Sequence, residues 1–130
     1  FFAARWFGCD AAISSPARLL EILARSMKKL SGLMADLPRT YSTPEIRIYA
    51  SDEVKFKIVA EVRRVLEASH KVIDIDGVRA VFPEGWGLVR ASNTQAVIVL
   101  RFEADTEKAL AEIQAEVRSV LEKAIEKLER

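Results

Sequence analysis

Gly85-Trp-Gly-Leu-Val-Arg-Ala-Ser-Asn-Thr94 is followed, after Gln95, by the apolar run Ala96-Val-Ile-Val-Leu-Arg-Phe-Glu103. Residues 86–91 read as a short strand. Residues 96–103 are nearly all apolar and rich in β-branched side chains, as expected of a central strand covered on at least one face. Two strands in close succession imply an antiparallel sheet. The loop between them has one chemical theme. Arg90 offers a planar fork of N–H donors with a permanent positive charge, Ser92 and Thr94 offer hydroxyls, and Asn93 offers an amide. That set suits a phosphate dianion, which takes several donors and a charged bidentate partner. The short side chains should also let the loop backbone approach a ligand with its own N–H groups. Taken without the residues that follow it, Arg90 reads rather as a solvated surface arginine at a strand end.

Upstream, Val72-Ile-Asp-Ile75 and Val78-Arg-Ala-Val-Phe82 flank Asp76-Gly77, a pair favoured in two-residue type I′ turns, which predicts a hairpin. Pro83-Glu84-Gly85 marks another turn. Glu45–Ala50 alternates, with Ile46, Ile48 and Ala50 on one face. Ser51 or Asp52 is then expected to cap a helix striped by Val54, Ile58, Val62, Val65 and Leu66, with its lysines, arginines and glutamates outside. Downstream, Asp105 is expected to cap a last helix. Its apolar face is Leu110, Ile113, Val117, Val120, Leu121, Ala124 and Leu128, and Glu126 and Arg130 are spaced for an ion pair. Two amphipathic helices need a surface on which to bury their stripes, and one face of an antiparallel sheet supplies it. The expected class is α+β, with an antiparallel-dominated sheet of four to five strands and two helices on one face.

Ahead of this domain, assigned to 45–130, residues 33–44 break any periodicity with Asp36, Pro38, Thr40, Ser42, Thr43 and Pro44. They read as a linker, and its prolines suit a hinge of limited directions. Residues 1–32 form a helical appendage. Its helix should be capped by Ser15, with Pro16 at the first helical position. Leu19, Leu23, Met27 and Leu30 should form one face, and Gly32 should close the helix. Phe1, Phe2, Trp6 and Phe7 make the start strongly aromatic.

Composition narrows the function classes. The 130 residues are half hydrophobic, with a formal net charge of +1, which suits a globular fold with a local anion site rather than a nucleic-acid surface. No apolar run approaches the roughly 20 residues of a membrane span, and no basic-then-apolar leader opens the chain. The chain is expected to have no membrane partner. A single cysteine, Cys9, excludes an internal disulfide and fits a reducing, cytoplasmic setting. A start at Phe1 without methionine suggests a fragment of something longer. His70, the one histidine, falls at a helix end with no second histidine or cysteine near it in sequence, which argues against a metal. Cys9 lacks a nearby histidine and is not expected to be a nucleophile. Arg101, inside an apolar strand, is expected to pair with a carboxylate or snorkel to the sheet surface, with contact to the phosphate site the less favoured option.

The Gly85–Thr94 motif, together with Val97-Ile-Val-Leu-Arg-Phe-Glu-Ala-Asp-Thr106, resembles the C-terminal domain of the bacterial phosphomannomutase/phosphoglucomutases, in the α-D-phosphohexomutase superfamily. Ser42-Thr-Pro-Glu-Ile46 and Asp76-Gly-Val-Arg79 extend the likeness. Phe1-Phe2, Arg5-Trp-Phe-Gly8 and Ala17-Arg-Leu-Leu-Glu-Ile-Leu23 resemble the tail of the preceding domain. Two departures stand out. Ala96 replaces a frequent proline, and Gly8-Cys-Asp-Ala-Ala12 replaces Gly-Phe-Asp-Asp-Gly. The resemblance implies a TATA-binding-protein-like domain in which Arg90, Ser92, Asn93 and Thr94 bind a phosphate of a phosphosugar. The parent would interconvert hexose 1- and 6-phosphates of mannose or glucose through a phosphoserine, a bisphosphate intermediate and Mg2+. The phosphoserine loop, the acidic Mg2+ loop and the sugar loop of that family do not occur in these residues. They would belong to upstream domains, so the fragment itself would carry no catalytic residue. Without those domains Phe1, Phe2, Trp6 and Phe7 would promote self-association. The competing readings are a non-catalytic phosphate- or nucleic-acid-binding module and a purely structural domain.

Overall fold

The computed structural model describes Ala12 and residues 14–128. The expectations placed on Phe1, Phe2, Trp6, Phe7, Cys9 and Arg130 lie outside them. The chain divides into two units, Phe1–Pro38 and Arg39–Arg130.

In the first unit, α1 (Ser14–Ser26) and α2 (Leu30–Leu33) replace the single helix expected up to Gly32. Met27 breaks it, with a left-handed φ of 55°, a conformation that ordinary side chains disfavour within a helix. Met27 and Leu30 therefore do not extend the Leu19–Leu23 face, and Met27 is exposed. Ser15 and Pro16 fall inside the first turn of α1 rather than ahead of it. No residue of α1 is buried, and Arg18 and Arg25 both pair with Glu21 on its surface.

The second unit is built on β6 (Val97–Ala104), the longest strand of the sheet. Its partners are β5 (Gly85–Ala91) on one side and, on the other, β1 (Tyr41–Ser42) and β2 (Ile46–Tyr49) end to end. β4 (Val78–Phe82) pairs with β5, and β3 (Lys71–Ile73) with β4, all antiparallel. Six strands thus occupy five lanes. β1 lies within the stretch read as a linker, so the free segment before the sheet ends at Thr40. Ser42 stands opposite Glu103, and Ile46 opposite Leu100. Three residues therefore face two, which is a bulge. Pro44, lacking an N–H, sits in it on an edge lane, where a strand tolerates proline. Thr43 closes the gap. Its N–H donates to the Phe102 carbonyl at 3.0 Å, and its hydroxyl accepts the Phe102 N–H at 3.2 Å.

Two helices cover one face of the sheet: α3 (Lys55–Leu66) and α4 (Glu107–Leu128). Alternation decides which strand residues meet them. Val78 and Ala80, Val89 and Ala91, and Ile98, Leu100, Phe102 and Ala104 join Ile58, Val62, Leu66, Ile113, Val117 and Leu121 in one core. Gly87 has no side chain because there is no room for one. A Cβ there would lie 3.0 Å from the Phe102 ring and 3.1 Å from Val117. The opposite face carries Arg79 stacked over Trp86 at 4.1 Å, and Arg101, which is exposed there across from Leu88.

Three helix details differ from expectation. α3 begins at Lys55 with no side-chain cap; instead the Ser51 carbonyl accepts from the N–H groups of Val54 and Lys55. Its buried stripe runs through Lys55, Ile58, Val59, Val62 and Leu66, so one lysine points inward while Val65 is half-exposed. α4 is capped by the Thr106 hydroxyl, which accepts the Ala109 N–H at 3.1 Å. Asp105 instead donates its own N–H to Glu84, tying the helix entry to the β4–β5 turn.

Candidate anion-binding site

β5 ends in Arg90-Ala91 and β6 begins at Val97, leaving a five-residue connection, 92–96. Its turn is held from within. Ser92 N–H donates to the Val97 carbonyl at 3.0 Å, and Val97 N–H donates to Gln95 at 2.9 Å. The Ser92 hydroxyl oxygen accepts from Gln95 N–H at 3.2 Å and, at a long 3.4 Å, from Thr94 N–H. This arrangement corrects one expectation. The N–H groups of Ser92, Thr94 and Gln95 are used inside the loop, which leaves those of Asn93 and Ala96. The Ser92 hydroxyl retains its proton, so it can still donate to a bound oxyanion while its lone pairs hold the loop.

Arg90 and Asn93 open on a cavity of about 280 Å³, walled by Phe56, Val59 and Arg63 of α3 and by Asp74, Asp76 and Gly77 of the β3–β4 connection. That connection is not the tight turn the sequence suggested. Ile73 pairs with Arg79, leaving five residues between partners. Gly77 is the one residue of this connection with positive φ, at 88°, whereas a type I′ turn needs positive φ at both central residues. The longer connection brings two carboxylates to the cavity. Asp76 accepts from Arg90 Nη1 at 2.9 Å. Asp74 lies 2.6 Å from Arg63 Nη1, and Arg63 Nε also donates to Glu67 at 2.6 Å. Glu67 first, and Asp74 after it, hold the Arg63 guanidinium above its ordinary pKa. Gly77 lies directly beneath Arg90. A Cβ on it would come within 2.6 Å of the Val89 carbonyl and 2.9 Å of the Arg90 Cβ, so at this position glycine is required by both φ and space.

Arg90 and Asn93 therefore meet in one cavity, and Ser92 braces the loop behind them. Thr94 belongs to the same turn but not to the cavity wall. Arg101 lies outside that wall too. Sequence reasoning missed Asp76 as the partner of Arg90. Of the Asp-Gly pair it used only the turn propensity, whereas the register of β3 on β4, with Ile73 opposite Arg79, leaves a longer connection that carries Asp76 to Arg90. It also missed Lys55, whose signal was its place in the α3 stripe. His70 contacts Glu116 at 2.7 Å and packs on Phe82 with ring centres 4.2 Å apart, a link between the end of α3 and α4. Among the described residues, no three His, Cys, Asp or Glu side chains converge as metal ligands, and no helix is long and apolar enough to cross a membrane.

Comparison with known proteins agrees with this architecture. Residues 45–120 match the family described as Phosphoglucomutase/phosphomannomutase, C-terminal domain. A phosphomannomutase/phosphoglucomutase of Pseudomonas aeruginosa (strain PAO1) is 46% identical over 122 residues, which cover 93% of this chain and 26% of that protein. A phosphoglucomutase of Neisseria gonorrhoeae is 43% identical over 125 residues, covering 94% of this chain and 27% of its own length. A phosphoglucomutase/phosphomannomutase family protein from Burkholderia thailandensis has a crystal structure that superposes with a TM-score of 0.78 at 42% identity. The match covers 95% of this chain and 26% of that one. The chain thus spans about a quarter of the length of these relatives, and it belongs to the phosphoglucomutase/phosphomannomutase C-terminal domain family.

Proposed function

We propose that the loop at 90–94 binds the non-reacting phosphate of a hexose phosphate, within a parent enzyme that interconverts the 1- and 6-phosphates of mannose or glucose. One observation carries the reading. Arg90, half-exposed at the cavity mouth, is held by a single exposed carboxylate, that of Asp76. An exposed ion pair of this kind is worth about 0–1 kcal/mol, so a dianion able to accept both guanidinium N–H groups displaces it readily. Asn93 adds its side-chain amide and its backbone N–H, Ser92 its hydroxyl proton, and Thr94 a hydroxyl from the loop tip. Transfer itself would belong to a phosphoserine and a Mg2+ ion held by domains upstream. Binding the remote phosphate supplies energy that orients the reacting end. Residues 38–40, the part of the connecting stretch ahead of β1, act as the hinge on which this domain closes and reopens for the bisphosphate to turn.

The test is a titration of the 130-residue chain with glucose 6-phosphate, mannose 6-phosphate and a single-stranded oligonucleotide, followed by backbone amide shifts. Saturable shifts at residues 90–95 with the sugar phosphates, abolished in Arg90→Ala, are expected. Shifts with the oligonucleotide alone, spread over the open sheet face around Arg79 and Trp86, would instead favour a nucleic-acid module.

A further inference from the structure

The buried stripe of α3 opens on a lysine. Lys55 is 2% exposed and is the one buried charged residue among those described. Its Nζ lies 2.5 Å from Asp52 Oδ1 and donates to the Gln95 carbonyl at 2.9 Å. That carbonyl also accepts the Val97 N–H at 2.9 Å, so two donors converge on the exit of the 92–96 turn. Desolvating an ammonium is costly, and a leucine or methionine would complete the stripe without that cost. Asp52, in direct contact, offsets part of that cost, while its own side chain stays 77% exposed and solvated. A positive charge therefore lies fixed beneath the loop, on the rigid start of a helix.

We infer that Lys55 is the positioning residue of this anion site, an inference that rests on the phosphate reading of the loop. Its ammonium draws the Gln95 carbonyl inward and so fixes the exit of the turn, while Ser92 fixes its entrance. Asn93 is held between them at the lip of the cavity beside Arg90. The buried charge, balanced in part by Asp52, adds to that of Arg90 from a site less screened than that of a surface lysine. Lys55 touches no ligand and acts through the loop and through its field.

The experiment separates charge from packing. In a Cys9→Ser background, Lys55→Cys is alkylated in denaturant, either with bromoethylamine to restore an ammonium or with a propyl halide to give a neutral thioether of similar length. Both are refolded and titrated with inorganic phosphate, beside the unmodified chain and Lys55→Met. The ammonium adduct is expected to bind within about twofold of the unmodified chain. The neutral adduct and Lys55→Met should bind about tenfold more weakly, the effect of one charged hydrogen bond, with faster amide exchange at Thr94 and Gln95. Equal binding by the two adducts overturns the inference and makes Lys55 a packing residue. Failure of the neutral adduct alone to refold also overturns it, by assigning the ammonium to stability. If the unmodified chain binds no phosphate, the reading of the loop fails as well. If it binds and all Lys55 variants match it, this inference alone fails.

Discussion

Arg90 brings its charge to the end of β5 without filling any part of the core, so its loss should separate function from stability. On the proposed reading, Arg90→Ala in the full-length parent protein is expected to lower kcat/KM about ten- to a hundredfold, from loss of a charged hydrogen bond of roughly 1.5–3 kcal/mol, at an unchanged melting temperature. Arg90→Lys should recover part of this, because an ammonium keeps the charge but not the fork. The loop geometry orders the hydroxyl variants. The Ser92 oxygen holds two backbone N–H groups of the turn, whereas Thr94 contributes a hydroxyl that water can replace. Ser92→Ala should therefore cost more than Thr94→Ala, and both less than Arg90→Ala. Steady-state kinetics with thermal melts on the four variants decide the order. Asp76→Asn removes the carboxylate that competes for Arg90 and repels an incoming dianion. It should tighten phosphate binding severalfold, within the roughly 0–1 kcal/mol of an exposed pair, as read by titration. Weaker binding would instead make Asp76 an orienting partner.

At the scale of elements, α3 and α4 are joined on their outer side by a charge network. Glu61 accepts from Arg64 one turn along α3, and from Lys127 of α4 at 2.9 Å. Those bonds, that of Arg64 first, hold the Glu61 carboxyl down to about 2. A carboxyl whose pKa is lower in the folded state than in the unfolded state stabilises the fold above its ordinary value of about 4.5, and that contribution is lost as pH falls towards 2. Acid unfolding followed by circular dichroism should accordingly be less steep in Glu61→Gln across that window, with a smaller difference from the unmodified chain at pH 3 than at pH 7. The β5–β6 pair makes a second prediction. Gly87→Ala places a methyl 3.0–3.1 Å from Phe102 and Val117, an overpacking that costs about 1–3 kcal/mol. It should lower the melting temperature while leaving phosphate binding unchanged, because Gly87 faces the core away from the loop. Gly77→Ala should instead impair both, since its added Cβ meets backbone and Arg90 together.

For the molecule as a whole, the chain spans about a quarter of its relatives' length. On the proposed reading its loop binds a phosphate, while transfer depends on a phosphoserine loop and an acidic metal loop that do not occur in these residues. The purified chain is expected to convert no glucose 1-phosphate at any substrate concentration, by a coupled assay sensitive to trace mutase. Turnover that co-purifies with the chain and disappears in Arg90→Ala would place catalysis inside this domain.

Much of this organisation follows from the sequence alone, because it depends on local periodicity and on side-chain chemistry. The period of α4, the alternation of β2 and β4, and the apolar run of β6 mark their elements without reference to anything distant. Arg90, Ser92, Asn93 and Thr94 suggest an anion loop by placing four donors within five positions, the reading proposed above. What tertiary structure decided were the matters of register and of long-range contact. Tyr41-Ser42 becomes a strand only because the far end of β6 offers an unpaired edge, with a bulge at Thr43-Pro44 to keep both halves aligned. Asp76 meets Arg90 because β3 and β4 pair in a register that lengthens their connection, where local turn propensity favours a shorter one. Lys55 is inside because the α3 stripe continues to the helix start, where a carbonyl contributed from forty residues away awaits its ammonium. Periodicity separates Lys55, in line with Ile58, Val59 and Val62, from its neighbour Lys57 on the outer face, but the carbonyl that partners its buried ammonium is brought by the fold.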